Sequence, residues 1–420
     1  MKRLRTLTLA LLIAAAAGRL SGQTYRTFQD EFDEITARSG FRLGPLKVLP
    51  AIRLSNVGYD TNILYRSKEE PAVADAIGTL AAEIKAYWLL GDSVILSFLE
   101  NPEYNFYLHE TDLRTLTNSY VPAVRFLLAR RLALSGDYHV LSQVRRTTSE
   151  FGEPVENSQE GFNGRVFFET PRGTAIGFSG SVDDFRYRNP GIPDPANDYA
   201  KTLDRRERTG AFELYYRVFS RSYVFAEASA TDYAFLDPAS SWRNAHDWRV
   251  SGGLRFPLLG QARGRLALGY KKFIPRTEEL KRFSGLVADT DVSFRAGRVG
   301  LGLAYTRDNY FSYIDTAYYF VEDRFRCGLA FYIFPYLRLE GSCQLAGWNY
   351  PEPQEVWFQG QPYLVENRRD KNRILTAGLA FRITGNTGLS VGYNFYRRTS
   401  NAPGYDIDRN FIGASLAYDF

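Results

Sequence analysis

From about residue 44 to its C-terminus the chain is written in period two, and nothing else in it constrains the fold as strongly. Leu80, Ala82, Ile84, Ala86 and Trp88 alternate with Thr79, Ala81, Glu83, Lys85 and Tyr87. Phe212, Leu214, Tyr216 and Val218 alternate with Glu213, Tyr215 and Arg217, and Trp248, Val250, Leu254 and Phe256 with Arg249, Ser251 and Arg255. The same rhythm runs through Val299–Tyr305 and Leu389–Phe395. One apolar face and one polar or small face is the mark of a strand, so the chain reads as all-β. Beyond the N-terminus no apolar run approaches the ~20 residues of a membrane-spanning helix, which excludes a helical membrane protein. It leaves a barrel open, because a barrel crosses lipid with short alternating strands.

The connections between these runs take turns. Short ones fall near 90–93, 133–137, 170–173, 220–222, 257–261, 296–298, 333–335 and 384–387. Long polar ones fall near 58–75, 108–117, 148–159, 187–207, 237–245, 275–282, 312–317, 349–370 and 399–406. That alternation predicts a transmembrane antiparallel up-and-down β-barrel of about 18 strands (16–20) over residues 44–420, with tight periplasmic turns and longer external loops. A soluble sandwich or propeller would alternate too, with its apolar face inward. Three features favour lipid. Trp88, Tyr138, Tyr216, Tyr270 and Trp348 fall near strand ends, where an interfacial girdle sits. Ile412, Ala414, Leu416, Tyr418 and Phe420 end the chain on an alternating strand, and its Tyr418 and terminal Phe420 resemble an assembly signal read by barrel-assembly machinery.

The third feature is the N-terminus. Lys2, Arg3 and Arg5 precede the apolar stretch Leu9–Ala17 and the small residues around Gly22, so residues 1–22 read as a signal peptide. The formal net charge of +5 then falls to about +1 in the mature chain, which removes any argument for nucleic acid from the sequence pI of 9.0. Residues 23–43 read as a periplasmic leader. Within it Phe28, Phe32 and Ile35 recur at helical spacing, which predicts either a short amphipathic helix or an unstructured leader.

Chemistry is sparse. Of His109, His139 and His246, only His139 is expected on a lumen wall, and alternation puts Ser142 on the opposite face of its strand. No nucleophilic triad or metal-ligand cluster survives that geometry, so neither an enzyme nor a cofactor is expected. Cys327 and Cys343 are equidistant from the turn at residue 335, which makes them opposite one another on the apolar face. They are either a cross-strand disulfide or two small apolar residues facing lipid. The lumen set carries the functional content: Arg125, Arg131, Arg145, Arg165, Arg217, Arg249, Arg255, Arg265, Lys271, Arg295, Arg298, Arg324, Arg326, Arg338 and Arg382. The acids expected beside them are fewer: Glu83, Glu169, Asp183, Glu213, Glu227, Asp289, Asp291 and Glu340. Such a wall is polar and wet, and either favours anions or forms a paired network that stabilises a large barrel. Tyr87, Phe167, Tyr215 and Tyr332 are expected inside as sugar-stacking rings. Trp348, Tyr350, Trp357, Phe358 and Tyr363, in and beside loop 349–370, are expected to form an inward constriction or an outward contact surface.

Several stretches resemble the β-barrel porins associated with exopolysaccharide biosynthesis and export in Gram-negative bacteria. These are Gly44–Leu54 followed by Gly58-Tyr59-Asp60-Thr61-Asn62-Ile63, then Phe283-Ser284-Gly285-Leu286-Val287-Ala288-Asp289. The closing pair, Tyr396-Arg397-Arg398-Thr399-Ser400 and Asp408-Arg409-Asn410-Phe411-Ile412-Gly413, fits as well. The resemblance implies an outer-membrane location and a link to polysaccharide secretion, with no catalytic residues to carry over. The partners expected are outer-membrane lipid and lipopolysaccharide, barrel-assembly machinery, and polysaccharide or periplasmic export components. An exopolysaccharide-export pore is the leading expectation. A general or anion-preferring diffusion porin and a structural or loop-binding barrel are the alternatives.

Overall fold

A computed structural model of the chain describes residues 28–37, 40–145, 155–189, 199–219, 222–258, 262–312 and 317–420. The expected signal peptide lies outside them. Helix α1 (Phe28–Ala37) places Phe28, Phe32 and Ile35 on one side, with the Phe28 and Phe32 rings stacked 6.3 Å apart. On the polar side the Gln29 amide donates to Asp33.

The strands that follow are β1 (Phe41–Leu43), β2 (Leu46–Asp60), β3 (Asp75–Leu90), β4 (Val94–Tyr107), β5 (Thr115–Leu128), β6 (Leu132–Arg145) and β7 (Val155–Glu169). Next come β8 (Thr174–Arg188), β9 (Arg205–Arg217), β10 (Tyr223–Phe235), β11 (Ala245–Leu258), β12 (Ala262–Pro275), β13 (Phe283–Ala296) and β14 (Val299–Phe311). The last seven are β15 (Tyr319–Phe334), β16 (Leu337–Asn349), β17 (Gln354–Phe358), β18 (Gln361–Val365), β19 (Arg369–Arg382), β20 (Thr387–Ser400) and β21 (Ile407–Asp419). Each strand from β2 to β15 pairs antiparallel with the next, β16 pairs with β19, β19 with β20 and β20 with β21, and β21 returns to β2 through Arg53↔Ala417. The result is a closed barrel of 18 antiparallel strands. β1 leans on the start of β2, and β17–β18 is a separate hairpin inside the β16–β19 connection.

The barrel strands are 13–16 residues long. Since about 9–11 tilted residues cross a bilayer, their ends project beyond the hydrocarbon. The burial is inverted relative to a soluble protein. Leu80, Leu268 and Leu286 are 51%, 61% and 59% exposed on the outer face, whereas Lys47, Lys271 and Asp183 are buried on the inner one. In lipid an apolar exterior costs nothing, and closure pairs every strand edge. The barrel therefore has the burial of a membrane-spanning sheet, with its short turns and both ends of the sheet at one end and its long connections at the other, outer, mouth. Among the girdle expectations Trp88, Tyr216 and Tyr270 point outward as expected, but Trp348 is only 7% exposed. It shares the inward face with Arg338 and Glu340, because it lies an even number of residues from them along β16.

The closing seam is bulged. Between Leu54 and Val57 the register of β2 slips against both β3 and β21, and Asn56 sits at φ 54°. Just beyond, a Cβ on Gly58 would lie 2.0 Å from the Ile412 carbonyl oxygen, so glycine alone lets β2 and β21 approach there.

Candidate functional site

The inward faces of the strands make a wall, and most of its charges are paired. Across β7, β9, β10, β12 and β13 one network runs unbroken. Arg165 bonds Glu213, and the Tyr215 hydroxyl lies 3.2 Å from both Glu213 and Glu227. Arg265 donates to Glu227 at 2.6 Å and also bonds Asp289. Arg217 reaches Glu169 at 3.0 Å, Arg324 pairs with Glu322, and Arg338 with Glu340. Arg125, Arg255 and Arg382 also have partners. Arg131 and Arg298 sit in short turns rather than on strands, and Arg145 ends β6 with its side chain outside the described residues. A wall neutralised in this way gives the basic set little leverage as a whole, because a paired guanidinium offers a passing anion little net field.

The rings are engaged too. Phe167 and Tyr215 are 8% and 3% exposed; Arg165 lies 4.8 Å over the first, and the two rings are 6.1 Å apart. They are packing partners of the charge network rather than open sugar platforms. Tyr332 has Arg295 at 4.3 Å and Arg338 at 5.6 Å from its ring centre. Tyr87 and Tyr332 are half-buried on the wall near the short-turn end.

His139 forms a row of its own. It lies opposite Gly161 of β7, which lies opposite Asp183 of β8. Nε2 is 2.7 Å from Asp183 Oδ1, Nδ1 is 3.2 Å from Asp137, and the Gln159 amide donates to Asp183. A nucleophile is missing from this constellation, and no group of metal-ligating side chains occurs among the described residues. Cys327 and Cys343 are register partners of β15 and β16, and both are free thiols.

The outer mouth holds what alternation conceals. β14 pairs with β13 only as far as Ala288↔Arg307, yet stays with β15 up to Phe311↔Tyr319. Beyond Arg307 this hairpin leaves the wall and turns inward. The Phe311 ring packs 5.2 Å from Tyr233 and 5.4 Å from Phe273, and Arg205 of β9 lies 5.5 Å over it. β9 and β14 are five strands apart, roughly 24 Å along the wall, so they meet only across the lumen. Asp308 accepts from Lys271 at 3.0 Å and Arg249 at 3.3 Å, and Lys271 also reaches Asp247. Buried Arg243 donates to the Ser312 carbonyl at 2.9 Å, and its own carbonyl accepts from the Tyr318 hydroxyl. The Tyr318 and Lys281 amides both donate to Glu352, tying three outer connections into one cap.

Loop 349–370 divides between two roles. Trp348 and Tyr350 are buried with Phe320 beneath the cap. The β17–β18 hairpin turns Trp357 (69% exposed) and Leu364 (70%) to its surface, while Phe358 and Tyr363 pack edge-to-face. At its root Arg368, fully buried, pairs with Asp370 and lies 3.7 Å over the Tyr405 ring. Burial opposes this charge, but the Tyr350 phenol, Asp370 and Tyr405 outweigh it and hold the guanidinium above its ordinary value.

The family-like motifs other than Gly44–Leu54 gather at the same end. Asp60 accepts from Arg409 Nε at 2.8 Å across the seam and from the Asn62 amide. Tyr396 packs on Tyr65, Arg397 pairs with Asp408, and Ser400 donates to Asp370. Phe283 belongs to the aromatic cluster under the cap. Tyr418 and Phe420 stack edge-to-face on the outer surface at the other end, where the Phe420 amide donates to Pro50.

Comparison with solved structures places this architecture. The outer-membrane protein OpdK of Pseudomonas aeruginosa superposes with a TM-score of 0.50 at 11% identity, over 89% of this chain and 98% of that one. The fold is that of an outer-membrane β-barrel. OpdO of the same organism (TM-score 0.49, 11% identity, 89% and 97% covered) and Acinetobacter baumannii OccAB3 (0.48, 12%, 89% and 99%) are also similar. No family model and no curated protein matches the chain. The inward hairpin and its latch escaped sequence reasoning; the one signal for them was the density of aromatics at 310–320.

Proposed function

We propose that the chain forms a polar channel for hydrophilic solutes, its outer mouth narrowed by the inward-turned β14–β15 hairpin. The observation that carries this is the contact of Phe311 with Arg205 across a charged, paired lumen inside an apolar exterior. Pairing stabilises charge along a wet wall, and a constriction at one end selects by size. The test is liposome swelling with a graded series of saccharides. Mono- and disaccharides should enter, larger ones should be refused, and Phe311→Ser should raise the cut-off. Impermeability to every sugar, in wild type and variant alike, would overturn the channel.

Export of an exopolysaccharide is the second reading. It is supported by the motif resemblance and by Tyr87 and Tyr332 on the periplasmic half of the wall, where a chain would enter. It requires a path for an extended glycan past the hairpin that carries Phe311, left open beside the cap or made when the cap opens. Loss of surface polysaccharide on deletion of the gene, restored by wild type but not by a cap cross-linked shut, is its expected signature. Unchanged polysaccharide would remove it.

A further inference from the structure

Two charged side chains stand apart from the network. Among the described lumen-facing strand residues, Arg326 and Asp291 have no hydrogen bond, ion pair or ring contact, whereas their neighbours Arg324 and Asp289 are paired. They are placed together. Asp291 of β13 is the register partner of Ala304 of β14, and Ala304 is the register partner of Arg326 of β15. Two strand spacings separate their Cα atoms, roughly 10 Å, with only a methyl group between. Next along the wall, Gly302 pairs with Gly328, and a Cβ on either would meet open space. Asp291 is exposed to the lumen and Arg326 half-buried. The Arg326 stem is long enough to cover part of the gap, yet the two stay unpaired.

We propose that Asp291 and Arg326 form a bipolar subsite that binds small zwitterions, the solute's carboxylate at Arg326 and its ammonium at Asp291, over the clearing at Ala304, Gly302 and Gly328. Unpaired charges on a barrel wall are costly unless water or a mobile partner satisfies them. A solute carrying one acid and one base a few ångströms apart satisfies both at once, whereas a simple anion or cation leaves one charge unmet and meets the other's repulsion. This deepens the channel reading and rests on it.

Saturation-transfer NMR on the detergent-solubilised full chain tests the subsite without requiring flux. The probes are glycylglycine, N-acetylglycine (acid only) and glycinamide (base only). Wild type should bind glycylglycine with an apparent affinity roughly tenfold above either single-charge probe. Arg326→Gln and Asp291→Asn should each abolish that preference, and neither touches the cap or the paired network. Equal signals from the three probes would overturn the subsite, as would a preference that survives both substitutions. If the two residues instead pair with each other in solution, glycylglycine shows no preference, and the subsite falls while the channel stands. Bilayer currents from the same preparations report on the channel independently, and their absence alongside a glycylglycine preference would count against the channel alone.

Discussion

His139 and Asp183 meet across β7 because the residue between them has no side chain. A Cβ on Gly161 would lie 2.5 Å from the Val182 carbonyl oxygen and 2.7 Å from Asp183 Oδ1. Gly161→Val should therefore break the His–Asp contact and destabilise the barrel by about 2 kcal/mol. The readout is the temperature at which the heat-modifiable band unfolds on a gel. Gly164→Ala, on the same strand with nothing within 4 Å of its Cβ, should leave that temperature in place. A similar contrast separates the ion pairs. Asp60 is 2% exposed at the closing seam, so Arg409→Ala strands a buried carboxylate at a cost of about 3–5 kcal/mol. Arg276 and Asp232 are 53% and 36% exposed at the rim, and Arg276→Ala should cost under about 1 kcal/mol. Equal losses in urea unfolding would contradict this account of the seam. Within the wall, inward and outward faces were legible from alternation for most strand residues, down to the opposition of Cys327 and Cys343, though not for Trp348. Partners were not, because Arg165 and Glu213 lie 48 positions apart and meet only through the registers of β7, β8 and β9.

Among the elements, the β14–β15 hairpin and the β17–β18 hairpin look alike in sequence, both aromatic and both beside long loops, but they do different things. The first is latched inward by Asp308, Lys271 and Arg243; the second turns Trp357 and Leu364 outward. Asp308→Asn combined with Phe311→Ser should raise single-channel conductance several-fold, because it removes both the latch and the ring that crosses the mouth. Deleting Trp357, Phe358, Gln361 and Pro362, which keeps the two-residue Gln359-Gly360 turn, should leave conductance unchanged. The reverse pattern would move the constriction to loop 349–370, whose aromatic content suggests one. Why alternation misleads here is physical. Phe311 and Tyr319 fall on the face that lower down the same strands meets lipid, at Leu303 and Cys327. The hairpin's bend turns that face onto Tyr233 and Phe273, and period two encodes the side of a sheet, not where the sheet goes.

The molecule as a whole is an inverted protein: apolar outside, charged and paired inside, with its aromatic core at one end rather than its centre. Strand count, the order of short and long connections and the closure of the last strand on the first were all written in the sequence, since each depends on local period and loop length. Whether the lumen conducts depends on how the outer connections fold over it, which local pattern does not record. The proposed channel is polar and is capped at its outer mouth by a latched hairpin. Single-channel recording from the refolded barrel in a planar bilayer tests it directly, with wild type beside the Asp308→Asn, Phe311→Ser double variant. A small wild-type conductance that rises several-fold in the variant is the predicted result. A large wild-type conductance that the variant leaves unchanged would show that the hairpin caps nothing, and silence from both would show that the barrel is no channel.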